Sequence, residues 1–306
     1  MIRVRNLTRR FDGVTAVQDL SFDVAPGEIL GLLGPNGAGK TTTLRMLAAL
    51  ISPTAGEATV CGHRLGEDDP GVRRSIGLLT ETPGLYDRLS ARKNLEVYAR
   101  LHGVADPAGR AGHYLELLDL GGRREEPVGT FSRGMRQKLA LARALLHEPR
   151  VLLLDEPTAG LDPRIARLVR DWIEELRQGG RTILLSTHNL EEAERLCDRV
   201  ALLRTRLVAL DRPAALRGLF SGGRTIVRLA QPDGGIRFAA ALRALPFVTE
   251  VEAQGDALVV SVDQPEEDTP ALVRALVEAG AEVIEVSPER RTLEEAYLQL
   301  MTEGPS

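Results

Sequence analysis

The chain of 306 residues is 43% apolar and 27% charged but only 4% aromatic, so it holds one large domain or two with mainly aliphatic cores. No apolar run is long enough to span a bilayer, and the opening Met1-Ile2-Arg3-Val4-Arg5 lacks the apolar stretch of a secretory signal. With a net charge of −4, these features predict a cytoplasmic protein for which nucleic acid is not a partner.

In chain order, apolar or alternating runs predict strands over residues 2–7, 21–24, 29–33, 76–79, 151–154 and 182–186. Helical patterns separate them. Residues 164–177, for example, bring Ile165, Leu168, Trp172, Ile173 and Leu176 to one face. Strands alternating with helices imply a mainly parallel sheet covered on both faces, with ligands at the carboxyl ends of its strands. The stretch 85–147 reads as almost wholly helical, an inserted subdomain.

After Ser221-Gly222-Gly223 the composition changes. Residues 224–306 carry 7 basic and 15 acidic side chains, whereas residues 1–223 carry 32 basic and 28 acidic ones. The predicted order there is strand 225–229, helix 238–245, strands 248–252 and 257–262, helix 270–279 and strand 282–287, a ferredoxin-like α+β unit. A last helix is predicted over 293–301. The domains expected are therefore 1–220 and 224–306. Cys61 and Cys197 stand alone, without metal-ligand or disulfide spacing.

Of the 39 basic residues only Lys40, Lys93 and Lys138 are lysines. Lys40 ends the run Gly34-Pro35-Asn36-Gly37-Ala38-Gly39-Lys40-Thr41, between a predicted strand and a helix, which fits the phosphate-binding pattern G-x-x-x-x-G-K-[ST]. The glycines let backbone N–H groups converge on phosphate oxygens, and the helix adds its positive end. Lys40 would reach the β and γ phosphates, and Thr41 would bind Mg²⁺. A later buried strand ends in Asp155-Glu156, an acid suited to Mg²⁺ beside a carboxylate suited to orienting water.

Phe131-Ser132-Arg133-Gly134-Met135-Arg136-Gln137 precedes that strand, and Ser186-Thr187-His188 follows the next. With these pieces, residues 1–215 resemble the ATP-binding-cassette (ABC) ATPases, whose signature reads L-S-G-G-Q. The resemblance implies an α/β P-loop NTPase fold with antiparallel and helical subdomains, the latter at about 85–147, and ATP and Mg²⁺ as cofactors. It implies that Phe11 stacks on adenine, that residues 34–41 and Thr42 hold the phosphates, and that Thr41, Asp155 and Glu81 hold the metal. Glu156 would be the catalytic base, Lys40 a charge-neutralising group, and His188 the bridge between base and γ-phosphate. Ser132 and Gly134 would meet the ATP of a paired subunit, and Ala159-Gly160-Leu161-Asp162 would join the two sites.

Three positions depart from the pattern: Glu81 stands for the usual glutamine, Arg133 for the first signature glycine and Met135 for the signature glutamine. These variants resemble the exporter branch, in which membrane permease subunits are separate chains. The expectation is a homodimer or paired ATPase, peripheral on the inner face of the cell membrane, that docks its partner through residues 81–93. The run Arg291-Thr292-Leu293-Glu294-Glu295-Ala296-Tyr297-Leu298 is similar to the closing helix of daunorubicin-resistance-type ATPases. Rival readings are a non-transport ABC ATPase, an importer ATPase and a regulatory binding module; the long coiled coils or second cassette of repair and translation members are not seen in the sequence.

Overall fold

The structure, a computed structural model, describes residues 1–218, 224–231, 234–262 and 265–288. It divides into two compact units, Met1–Pro213 and Ala214–Ser306. The first opens with a hairpin of β1 (Ile2–Phe11) and β2 (Val14–Val24), whose two-residue turn Asp12-Gly13 is left-handed at both positions, as such a turn requires. β3 (Ile29–Leu33) leads through a loop into α1 (Lys40–Leu47), and β4 (Ala55–Val60) with the short β5 (His63–Arg64) returns beside β1. After α2 (Asp69–Ser75) and β6 (Ile76–Leu79) come α3 (Ala91–Leu101), α4 (Pro107–Leu117) and α5 (Arg133–Leu145). The unit continues through β7 (Val151–Asp155), α6 (Pro163–Gln178), β8 (Thr182–Thr187) and α7 (Leu190–Leu196) to β9 (Arg199–Arg204) and β10 (Arg206–Asp211).

Among the described residues these strands make an antiparallel sheet, β2-β1-β4-β5, and a larger sheet, β10-β9-β3-β8-β7-β6, parallel except for β10. Every residue of β3, β7 and β8 is buried, which explains their unbroken apolar runs. α1 lies between the two sheets. Its Leu44, Met46 and Leu47 share one core with Val4, Leu7 and Phe22 of the hairpin and with Leu32, Leu153 and Leu184 of the parallel sheet. This is an α/β P-loop NTPase core. The strand order sets β3, β8, β7 and β6 side by side, so the segments leaving their carboxyl ends meet along one edge.

The sequence reading shortens the hairpin strands and misses β4, β5, β9 and β10. Left-handed Asn6 and Asp19 accompany register shifts in the hairpin, and these interrupt the alternation by which a strand is recognised. The stretch 85–147 is also less helical than expected. Residues 81–89 form no helix, and between α4 and α5 the chain makes only two short 3₁₀ turns, Gly121–Arg123 and Val128–Thr130, where Gly122, Pro127 and Gly129 discourage a longer one.

α8 (Pro213–Gly218) begins at the boundary between the units. The second unit follows as β11 (Arg224–Leu229), α9 (Gly234–Arg243), β12 (Val248–Gln254), β13 (Ala257–Val262), α10 (Pro265–Glu278) and β14 (Val283–Pro288). Its antiparallel sheet has the order β12-β13-β11-β14, the ferredoxin-like arrangement, with Val227, Leu258, Val260, Leu242 and Leu272 in its core. α10 starts ahead of Pro270, which lies inside the helix and costs one helical hydrogen bond rather than marking the start. The predicted helix 293–301 and the run from Arg291 to Leu298 lie outside the described residues.

At one margin of the helical segment the rings of His102 and His147 stack at 3.9 Å, only 8° from parallel, and His147 Nε2 bonds the Ile76 carbonyl at 2.7 Å. Burial lowers both imidazoles from the ordinary histidine value, and for His147 the neighbouring ring adds to it. The unfolded chain then binds more protons as pH falls below 6.5, so stability is full above that value and declines as pH drops towards the folded pKa values. Melting curves between about pH 7.5 and about pH 5.5 are expected to fall more steeply for the wild type than for His102→Phe, which keeps a ring but cannot titrate.

Candidate functional site

The loop from β3 to α1 is shaped by two left-handed glycines, Gly37 at φ 83° and Gly39 at φ 97°. A Cβ on Gly39 would sit 2.5 Å from the Ala16 carbonyl oxygen, so the close approach of loop and hairpin excludes any other residue there. Each helix from α2 to α7 begins with a side chain that accepts a backbone N–H, but Gly39 gives α1 no such cap. The amino end of α1 is therefore free of a competing carboxylate or hydroxyl cap where an anion would bind.

Lys40 is buried. Its Nζ donates to the Gly34 carbonyl at 2.6 Å and the Pro35 carbonyl at 3.3 Å, and lies 3.6 Å from Glu156 Oε1. Oε2 of Glu156 lies 2.9 Å from His188 Nδ1. One carboxylate thus sits between the lysine that leaves β3 and the histidine that leaves β8. Asp155, also buried, accepts from Thr41 Oγ1 at 3.1 Å and from Ser186 Oγ at 2.5 Å. Lys40, Thr41, Glu156 and His188 open on a cleft of about 360 Å³ that reaches from Phe11 past residues 35–42 to Glu81, while Asp155 lies behind it and touches it through Thr41. Its size suits a nucleotide.

The cleft gathers most of the residues singled out above. Thr42 and Glu81 line it, and Phe11, 40% exposed, stands at its edge with the Arg9 guanidinium 4.3 Å from the ring centroid. Ser132 and Gly134 do not line it. Ser132 caps α5 by accepting from Met135 N, and Gly134 lies against Ile165 of α6. Asp162 caps α6, accepting from Arg164 N and Ile165 N. The Arg133 guanidinium lies against Gly160, whose left-handed backbone favours glycine.

Thr41 and Asp155 offer hard oxygen donors side by side at the mouth of the loop, and Glu81 adds a third on the cleft wall. That donor chemistry fits Mg²⁺, which keeps several waters and takes one or two carboxylates together with phosphate oxygens.

Sequence reasoning misses the residues that hold this arrangement. Ser186 accepts the Glu156 N–H at 3.2 Å while donating to Asp155. Gln137 Nε2 donates to the Pro157 carbonyl at 2.7 Å, and Thr158 Oγ1 donates to Glu192 Oε1 at 2.7 Å. Burial pushes the Glu192 carboxyl above the ordinary carboxylate value, against the lowering pull of the Thr187 and Thr158 hydroxyls. Glycine-rich and acidic runs announce themselves in sequence, whereas single polar residues in buried helix faces carry no such signal.

A family model described as "ABC transporter" matches residues 17–159. A daunorubicin resistance ATP-binding protein of Streptomyces coeruleorubidus is 40% identical over 98% of this chain and 95% of its own length. The chain belongs to the ABC transporter ATP-binding proteins. A Nod factor export ATP-binding protein of Burkholderia thailandensis is 38% identical over 98% of this chain and 96% of its own, and a linearmycin resistance ATP-binding protein of Bacillus subtilis is 30% identical over 98% of each. A solved ATP-binding subunit of an ABC transporter superposes with a TM-score of 0.66 at 33% identity, covering 72% of this chain and 93% of its own. The protein is thus an ABC ATPase, and it binds ATP. Among the described residues of this ABC ATPase, no helix is long and apolar enough to cross a membrane.

Ser186→Ala removes a donor to buried Asp155 and an acceptor for the Glu156 N–H. Urea unfolding of this variant is expected to register a loss of about 1–3 kcal/mol. Full wild-type stability would contradict the bonding described.

Proposed function

We propose that the chain powers an exporter whose permease subunits are separate polypeptides, by hydrolysing Mg-ATP in a dimer of ATPase subunits at the inner face of the cell membrane. The observation that carries the reading is the meeting of Lys40, Glu156 and His188 at one cleft beside an uncapped helix end, with Asp155 bonded to Thr41 of its lining. The names of the relatives, two for antibiotic resistance and one for Nod factor export, support outward transport.

Phosphoryl transfer needs little covalent help from the protein, so the residues act by position and charge. Phe11 offers a ring to the base, and the backbone N–H groups of residues 36–42 face the phosphates. Lys40 is held by two carbonyls and has its charge offset by Glu156. Phosphate oxygens take over that pairing, which releases the carboxylate to accept a proton from the attacking water. His188, bonded to the other oxygen of Glu156, holds its direction. Thr41 and Asp155, with Glu81 on the cleft wall, would hold Mg²⁺, which would supply charge neutralisation on the phosphates.

Within one chain the cleft lacks Ser132 and Gly134, and a paired subunit that supplies them would complete it. For docking on the permease, residues 81–93 are the proposed surface. Tyr86, half exposed, stacks on Tyr98 at 6.0 Å, and both Tyr98 and Arg143 bond the Gly84 carbonyl. Asp87 is tied to Arg136 of α5 at 2.6 Å, so movement at this surface would reach the helix that Ser132 caps.

Glu156→Gln is expected to bind ATP as the wild type does, to hydrolyse it at least ~100-fold more slowly, and to accumulate a dimer in Mg-ATP by light scattering. Monomer alone would contradict the paired site, and undiminished hydrolysis would contradict the role of Glu156.

A further inference from the structure

The turn that follows Glu156 is gripped from two directions. From α5, Gln137 is buried and its Nε2 donates to the Pro157 carbonyl at 2.7 Å. From α7, Glu192 is 1% exposed and its Oε1 accepts the Thr158 hydroxyl at 2.7 Å. The carboxyl is almost wholly enclosed, with the Thr187 hydroxyl as its other polar neighbour. A carboxyl kept in such surroundings for packing alone is costly. Between the two grips and β7 lies Glu156 itself, left-handed at φ 50°, with its N–H bonded to Ser186. A non-glycine residue stays in that region only where its surroundings over-determine it.

The origins of the grips matter as much as their lengths. α5 starts from Ser132, and α7 starts two residues after His188. The helix that follows His188 and the helix that Ser132 caps therefore both hold the backbone next to the proposed base. Carbonyl 157 and hydroxyl 158 are the handles.

We propose that Gln137 and Glu192 are positioning residues for hydrolysis: together they clamp the Pro157–Thr158 turn and so hold the Glu156 carboxylate at the attacking water. The proposal rests on the reading of Glu156 as the base. Neither residue touches the phosphates, so the clamp acts on turnover and leaves nucleotide affinity alone.

Steady-state ATPase rates, binding of a fluorescent ATP analogue and melting temperatures would be compared on the full chain for the wild type, Glu192→Ala, Glu192→Gln, Gln137→Ala, Thr158→Val and the Glu192→Ala/Thr158→Val double variant. Expected are kcat losses of at least ~10-fold in Glu192→Ala and Gln137→Ala with KM for ATP and analogue affinity within about twofold of wild type. Glu192→Gln, which can still accept from Thr158, should recover most of the rate. The double variant should lose no more than Glu192→Ala alone, because both changes remove one bond. Unchanged kcat, additive losses in the double variant, or a fall in affinity that tracks the fall in rate would overturn the proposal. Should Glu192→Ala fail to fold, Thr158→Val and Gln137→Ala carry the same expectations. Glu156→Gln separates the two readings. If it hydrolyses like the wild type, the base assignment fails; if it is inactive while the clamp variants turn over normally, only the clamp fails.

Discussion

In an extended strand, neighbouring side chains point to opposite faces, so Asp155 and Glu156 could not both serve one cleft if β7 simply continued. The chain avoids this by ending the strand at Asp155 and turning Glu156 into the left-handed region, at φ 50°. Asp155 then reaches Thr41 on the side of the phosphate loop, and Glu156 reaches Lys40 and His188. The strain of such a residue is of order 1–3 kcal/mol. It is borne by the Ser186 bonds to its N–H and by the holds on Pro157 and Thr158 that follow. Without that one backbone turn the cleft would have a metal-binding acid and no base.

How much of this was legible follows from how far apart the cooperating residues lie in the chain. The phosphate loop is contiguous, so its glycines, Lys40 and Thr41 could be read off directly, and Asp155-Glu156 stood out once the loop was in view. His188 came from its place after a buried strand. Gln137, Glu192 and Ser186 were not legible as contributors, because their partners are 20, 34 and 30 residues away and each looks like an ordinary polar residue in its own element. The hairpin was under-read for a different reason. Left-handed Asn6 and Asp19 shift its register, and the period-two pattern breaks exactly where the strand bends on. In the second unit the strand order was readable, but Pro270 was taken for a helix start although α10 begins at Pro265.

The scarcity of lysine takes on a physical sense. Lys40 occupies a pocket where a compact ammonium fits between two carbonyls and a carboxylate, and a planar guanidinium would not. Lys138 is buried as well. Its Nζ donates to the Leu118 carbonyl and lies 5.6 Å from the Trp172 ring centroid, so a second of the three lysines also serves as a point charge in a confined space.

A crystal structure of Glu156→Gln with Mg-ATP tests the central claim most directly. The account predicts the γ-phosphate within hydrogen-bond reach of Lys40 and His188, the side chain at 156 facing it from a backbone still left-handed, and Ser132 of a second copy closing the cleft. A γ-phosphate bound away from Lys40, or residue 156 relaxed to an ordinary conformation with its side chain turned out of the cleft, would contradict it.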